Sequence, residues 1–198
     1  NGTMAARWPK DKLVTNENIQ AGHAIVGFAS YGQTNYEDAY NSGIGSNGLT
    51  SARHDMLNKF YAKQYPESFE PGLSDEVVYI GPYKMTDPVP GNQPGLHADL
   101  NIGKLLLSPT RTYAPLLKAL IREHFDAIHG LIHCSGGGQT KCMKYLPGNF
   151  RIIKDNLFEA PVIFQLIQNA SGSDLREMYQ VFYMGHRLEV VTTPEKAG

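Results

Sequence analysis

The chain is short of cysteine, of uninterrupted apolar sequence and of charge imbalance, and each shortage removes a class of protein. Cys134 and Cys142 are its two cysteines. They are too few for a disulfide framework and fit a protein of the reducing cytoplasm, with buried or partly buried thiols. No stretch approaches the about 18 consecutive apolar residues of a membrane span, and Asn1-Gly-Thr-Met-Ala-Ala-Arg-Trp8 lacks the apolar centre of a signal peptide. No membrane partner is expected. Eighteen basic residues stand against nineteen acidic ones, so there is neither the basic footprint of a nucleic-acid binder nor an acidic tail. A small molecule is the expected partner. Internal repeats and low-complexity tracts are also absent.

What is present is 198 residues with 41% apolar content, enough for one substantial core or two small ones. Elements alternate along the chain and predict an α/β (α+β) layer structure, a mixed sheet covered by helices. Thr3 to Arg7, Ala24 to Ala29, Ala127 to His133, Phe150 to Ile153 and Leu188 to Thr192 read as strands. Leu49 to Tyr61 places Ala52, Met56, Leu57 and Phe60 at helical spacing behind a Ser46-Asn47-Gly48 turn. Pro66 to Gly95 holds six prolines and four glycines and reads as a long connection around a short strand at Val77 to Ile80. The next helix carries Pro115 in its first turn and buries Leu116, Leu117, Leu120 and Ile121. Gln139 to Leu146 reads as another helix. Pro161 then opens a helix that buries Val162, Phe164, Leu166 and Ile167, and Asn169 to Ser173 break it. Asp174 and Glu177, at capping-box spacing, start the last helix, which stops at Gly185.

Three segments carry groups suited to chemistry. His133-Cys-Ser-Gly-Gly-Gly138 follows a predicted strand; glycines there let backbone N–H groups approach an anion, and the following helix offers its positive end. A tight turn without a ligand fits the same letters. Ser46-Asn47-Gly48 reads as a helix cap, as an anion contact, or as both. Thr110 offers a hydroxyl and Arg111 a planar fork for a phosphate or carboxylate, although an Arg near a helix start also serves in structural ion pairs. Asp99, Arg53, His54 and Arg187 are weaker candidates, expected to be solvated or locally paired. His129 and His133 share one face of a predicted strand and Cys134 takes the other, so no tetrahedral zinc site is assembled. Cys134 also lacks a third partner that would activate it as a nucleophile.

One text has an order that packing alone does not require: Ala160-Pro-Val-Ile-Phe-Gln-Leu-Ile-Gln168, then Glu177-Met-Tyr-Gln-Val-Phe-Tyr-Met-Gly185. It resembles the C-terminal region of the aminoimidazole ribonucleotide synthetases, also called phosphoribosylformylglycinamidine cyclo-ligases. There a Pro-x-Ile-Phe-x-x-Ile-Gln helix is followed by Glu-Met-Tyr and an Asn-Met-Gly turn; Tyr183 stands in place of that Asn. His133 to Gly138 is similar to the family's His-x-Thr-Gly-Gly-Gly, with Ser135 for Thr, and Ser108 to Tyr113 is similar to Ala-Pro-Thr-Arg-Ile-Tyr. Gly27-Phe-Ala-Ser30 and Gly43-Ile-Gly-Ser-Asn-Gly48 resemble the halves of Gly-Leu-x-Ser-x-Gly-x-His-Ser-Asn-Gly. Two departures stand out: Tyr31 to Ser42 separates the halves, and Gly45 stands where the family has histidine, a residue able to donate a hydrogen bond or move a proton.

The resemblance implies that residues 21–198 form the C-terminal domain of a cyclo-ligase and that residues 1–20 end a preceding domain, the start at Asn1 reading as the interior of a longer protein. It implies an enzyme, homodimeric at full length, that closes the imidazole ring of formylglycinamidine ribonucleotide in purine biosynthesis. ATP and Mg2+ would be held mainly by the N-terminal half, and this piece alone would be inactive. The implied substrate and phosphate contacts are Ser46, Asn47, Gly48, Thr110, Arg111, His133, Ser135, Gly136, Gly137 and Gly138, with no metal ligand among them and no assigned catalytic residue. Two alternatives stay open. One is another ATP-using superfamily member, of the formylglycinamidine synthase, selenophosphate synthetase or hydrogenase-maturation type; the other is a non-catalytic binding module that kept the fold.

Overall fold

The computed structural model describes residues 3–91, 100–146 and 148–198. Strand β3 (His186–Thr192) lies between β1 (Ala24–Ala29) and β2 (Gly130–His133) in a sheet of order β1-β3-β2. The expected α+β layering is present; among the described strands the pairing is antiparallel throughout instead of mixed. Every residue of β3 is buried, which requires cover on both faces of the sheet. Phe28 pairs with Leu188 and Ala29 with His186, so Arg187 sits in a register shift, a device that bends a strand and re-aims a side chain.

The helices are α1 (Leu49–Met56), α2 (Phe60–Gln64), α3 (Ile102–Leu106), α4 (Ala114–His124), α5 (Val162–Ser171) and α6 (Leu175–Val181). Helix α5 packs on α1, and α6 packs on a 3-10 turn at Gly138–Lys144. Ile44, Met56, Ile102, Leu105, Ile163, Phe164 and Ile167 meet in the core, each such side chain contributing roughly 1.5–3 kcal/mol on burial. Local signals fix the last two helices. Gly172, left-handed at φ 72°, closes α5, and the Asp174 carboxylate accepts the Glu177 N–H at 2.8 Å. The break between these helices is therefore shorter than Asn169 to Ser173. None of the described helices is long and apolar enough to cross a membrane.

Three predicted strands are not formed. Thr3 to Arg7 is exposed coil with no neighbouring strand. At Val77 to Ile80 the backbone turns left-handed at Tyr79 (φ 48°). The Tyr79 N–H donates to His54 Nδ1 at 3.2 Å and the Ile80 N–H to the His54 carbonyl at 2.8 Å, so the segment wraps the end of α1. Phe150 to Ile153 is also coil, and the Lys154 that follows is drawn inward to Glu189 and Gln139.

The helix expected over Leu49 to Tyr61 is split, because Leu57 turns extended and pairs beside Tyr83. Gly81 packs so tightly on the Met56 backbone there that no side chain fits. The helix expected at Gln139 to Leu146 is the 3-10 turn at Gly138–Lys144, and the strand expected from Ala127 begins only at Gly130. Helix α4 forms as expected, but Leu116, Leu117, Leu120 and Ile121 are only half-buried. Asp99 and residues 92–95 of the long connection lie outside the described residues.

Candidate functional site

Close backbone approach brings the segments around Gly45, Thr110 and Gly136 to one place. Gly45 lies flat on residues 108–110: a Cβ there would stand 2.5 Å from the Pro109 carbonyl carbon and 2.8 Å from the Ser108 oxygen. No side chain fits at that position, histidine included. Asn47, 2% exposed, donates to the carbonyls of Ser135 (3.2 Å) and Val181 (2.8 Å) and accepts the Tyr183 N–H (2.9 Å). These bonds staple the turn to the glycine loop. Ser46 forms the exposed, left-handed tip at φ 57°. Gly48, at φ 64°, precedes α1 without a side-chain cap, and a Cβ on it would press into the Phe182 ring.

The glycine loop closes the other side of this mouth. Gly138 (φ 51°) is wedged against α6, a Cβ falling 2.5 Å from the Phe182 oxygen and 2.6 Å from that of Tyr179. Gly136 faces open space. Among the described residues the N–H groups of Gly136 and Gly137 donate to no acceptor, and the first N–H groups of any helix, here α1, lack intrahelical partners. Unpaired backbone donors of this kind suit an anion. Thr110 and His133 are exposed and Ser135 is half-buried at the rim.

Arg111 is not an open fork. It is 7% exposed, and its guanidinium grips both oxygens of Glu37, Nε to Oε1 at 2.8 Å and Nη2 to Oε2 at 2.7 Å. It also donates to the carbonyls of Ala29 and Gly32 at 2.9 and 3.1 Å. Burial opposes the charge on Glu37, but the Arg111 bonds and the Thr34 N–H outweigh it and hold the carboxyl below its ordinary range. The Tyr31 to Ser42 segment is accordingly an ordered clasp. Gly32 and Asn41 exchange backbone bonds at its neck, and Asn41 Nδ2 donates to the Pro109 carbonyl at 2.9 Å.

His133 is the titratable group at the rim. Burial first, then the charges of Arg187 and Lys141, lower its pKa, which favours the neutral imidazole. Beneath the loop, Lys154 contacts the buried Glu189 and donates to Gln139 Oε1 at 2.9 Å, while His186 Nε2 lies 2.9 Å from Glu189 Oε1. Sequence reading missed this network: Gln139 and Lys154 lie 50 and 35 positions from Glu189, and His186, though next to a quoted motif, reads as the approach to a strand. The weaker candidates fall elsewhere. His54 serves Tyr79, Arg53 lies over the Tyr79 ring, and His129 pairs with His23 at 4.4 Å between rings. Among the described residues no group of three or more His, Cys, Asp or Glu could hold a metal ion.

No protein-family profile matches the chain. Individual relatives do. The phosphoribosylformylglycinamidine cyclo-ligase of Methanobrevibacter smithii is 33% identical over 187 residues, 94% of this chain and 43% of the relative. That of Methanothermobacter thermautotrophicus is 32% identical over 185 residues, 93% and 43% of the two chains. That of Pyrococcus furiosus is 30% identical over 194 residues, 98% and 44%. The chain belongs to the phosphoribosylformylglycinamidine cyclo-ligase family. It spans less than half the length of these relatives. Within this chain the departures from the family pattern are local and structurally linked: Gly45 permits the contact with residues 108–110, and the segment from Tyr31 to Ser42 bonds to the same stretch through Asn41 and Ser42.

Proposed function

We propose that residues 21–198 are the C-terminal, substrate-side domain of a cyclo-ligase that converts formylglycinamidine ribonucleotide to aminoimidazole ribonucleotide in purine biosynthesis, residues 1–20 ending the domain before it. The observation that supports this reading is the set of contacts joining the three family-like segments, Gly45 on residues 108–110 and Asn47 on the Ser135 carbonyl, next to the unpaired backbone donors of Gly136 and Gly137. The ribose phosphate docks there and at the start of α1, with the hydroxyls of Ser46, Thr110 and Ser135 at the rim. Asn47, Gly48 and Gly138 shape the mouth, and Arg111 positions Thr110 through the Glu37 clasp. Neutral His133 accepts a hydrogen bond from the substrate amidine.

ATP supplies the phosphoryl group that makes the formyl oxygen a leaving group. Among the described residues no group of three or more His, Cys, Asp or Glu could hold Mg2+; ATP and Mg2+ would belong mainly to the N-terminal half of a cytoplasmic homodimer. Imidazole-ribonucleotide formation by the full-length protein tests the reading. Gly137→Val, strained at φ 100°, should raise KM for the ribonucleotide at least about tenfold and leave KM for ATP within about twofold. A wild-type protein that makes no imidazole product would show a binding module instead.

A further inference from the structure

Among the described residues Arg187 is a buried cation with no acid paired to it. It is 1% exposed, and its Nη2 donates to the Gly45 carbonyl. Its guanidinium carbon lies 4.1 Å from the centroid of the Tyr183 ring. Nε and Nη1 are enclosed and have no hydrogen-bond partner, and among the described residues no carboxylate pairs with Arg187. Glu189, two residues along β3, is engaged by Lys154 and His186. The register shift at Ala29 is what aims Arg187 at the turn. The other groups that feel its charge are Tyr113, Tyr183 and His133. Uncompensated buried charges are strongly unfavourable and persist where something else supplies the counter-charge.

We propose that Arg187 supplies the fixed positive charge of the anion mouth, holding the Gly45–Ser46 turn by its carbonyl and attracting the phosphate monoester of the substrate, a duty that no side chain at position 45 can perform. This rests on the phosphate site proposed above. Donation into the Gly45 carbonyl polarises that peptide, whose N–H belongs to Ser46 at the tip, and the field of an enclosed cation is little screened by salt. Arg187 acts through the turn and through space, and is a positioning residue.

The test uses the 198-residue chain, with ribose 5-phosphate as probe and amide NMR as readout. Wild type should bind with shifts at Ser46, Gly136 and Gly137; no binding there would remove the phosphate site itself. Arg187→Met should remain folded, with a melting temperature equal to or above wild type, because an unpaired charge has gone. Its affinity for ribose 5-phosphate should fall at least about tenfold, and the His133 titration should move up. A folded Arg187→Met that binds within about twofold of wild type overturns the proposal and leaves the phosphate site standing. If Arg187→Met does not fold, Arg187→Lys decides: retained binding, weakened by less than about tenfold, supports the role of the charge, and a folded Lys variant without binding refutes it.

Discussion

The Glu37–Arg111 pair offers the sharpest quantitative prediction. The two side chains are 14% and 4% exposed, too enclosed for solvent to replace a lost partner. They share two charge-assisted bonds of 2.7 and 2.8 Å. Glu37→Gln keeps the shape but removes the charge and one of the two acceptors, leaving Arg111 a neutral amide oxygen and the carbonyls of Ala29 and Gly32. Breaking one side of a buried pair costs about 3–5 kcal/mol, which for a chain of this size lowers the melting temperature by about 6–20 °C. Thermal and urea unfolding at pH 7 measure the loss. The sign with pH is fixed, because the Glu37 pKa is lowered in the fold. Its stabilisation is complete above the unfolded carboxyl value of about 4.3 and is lost as pH falls through the depressed folded value. The gap between variant and wild type should therefore close in acid. In a double-mutant cycle with Arg111→Met, most of the loss should appear as coupling. A Glu37→Gln protein within about 0.5 kcal/mol of wild type at pH 7 would refute the clasp.

Three further outcomes are expected. Gly45→His, which restores the family residue, should destabilise by at least about 2 kcal/mol, since its Cβ meets the Pro109 and Ser108 backbone; a stable variant in urea unfolding would show that the turn is free to move. Lys154→Met removes the cation from the fully buried Glu189, leaving it His186 and the Cys134 thiol, and should cost about 3–5 kcal/mol by the same measurement, with a smaller loss meaning that the network relaxes. His133 should titrate below the ordinary value of about 6.5 in an NMR pH series, so that binding which depends on neutral imidazole is lost only at pH values below that figure; a midpoint above 6.5 contradicts the assigned surroundings.

The parts of the fold legible in the sequence were those with local causes. Pro161, Gly172 and Asp174 each act within a turn of themselves, and both C-terminal helices follow. Val77 to Ile80 and Phe150 to Ile153 have strand-like letters, yet strands need partners, and His54 and Glu189 claim these neighbourhoods first. Gly48, Gly137 and Gly138 take left-handed φ values, a local demand for glycine that the letters themselves carry. The arginines carry no such local signal. Arg111 finds Glu37 across 74 positions and Arg187 finds Gly45 across 142, distances over which spacing carries no information. Arg111, readable as an anion fork or as a structural ion-pair residue, is the second, and Arg187, read as solvated or locally paired, is enclosed with no acid paired to it among the described residues.

On the function proposed above, the ribonucleotide sits beside the Ser46 turn, the start of α1 and the glycine loop. Amide NMR of this chain titrated with formylglycinamidine ribonucleotide tests it most directly. Saturable shifts are expected at Ser46, Gly48, Leu49, Gly136 and Gly137, with none at Gly172, which closes α5. Shifts confined to other residues, with the Gly136 and Gly137 amides unmoved, would contradict it.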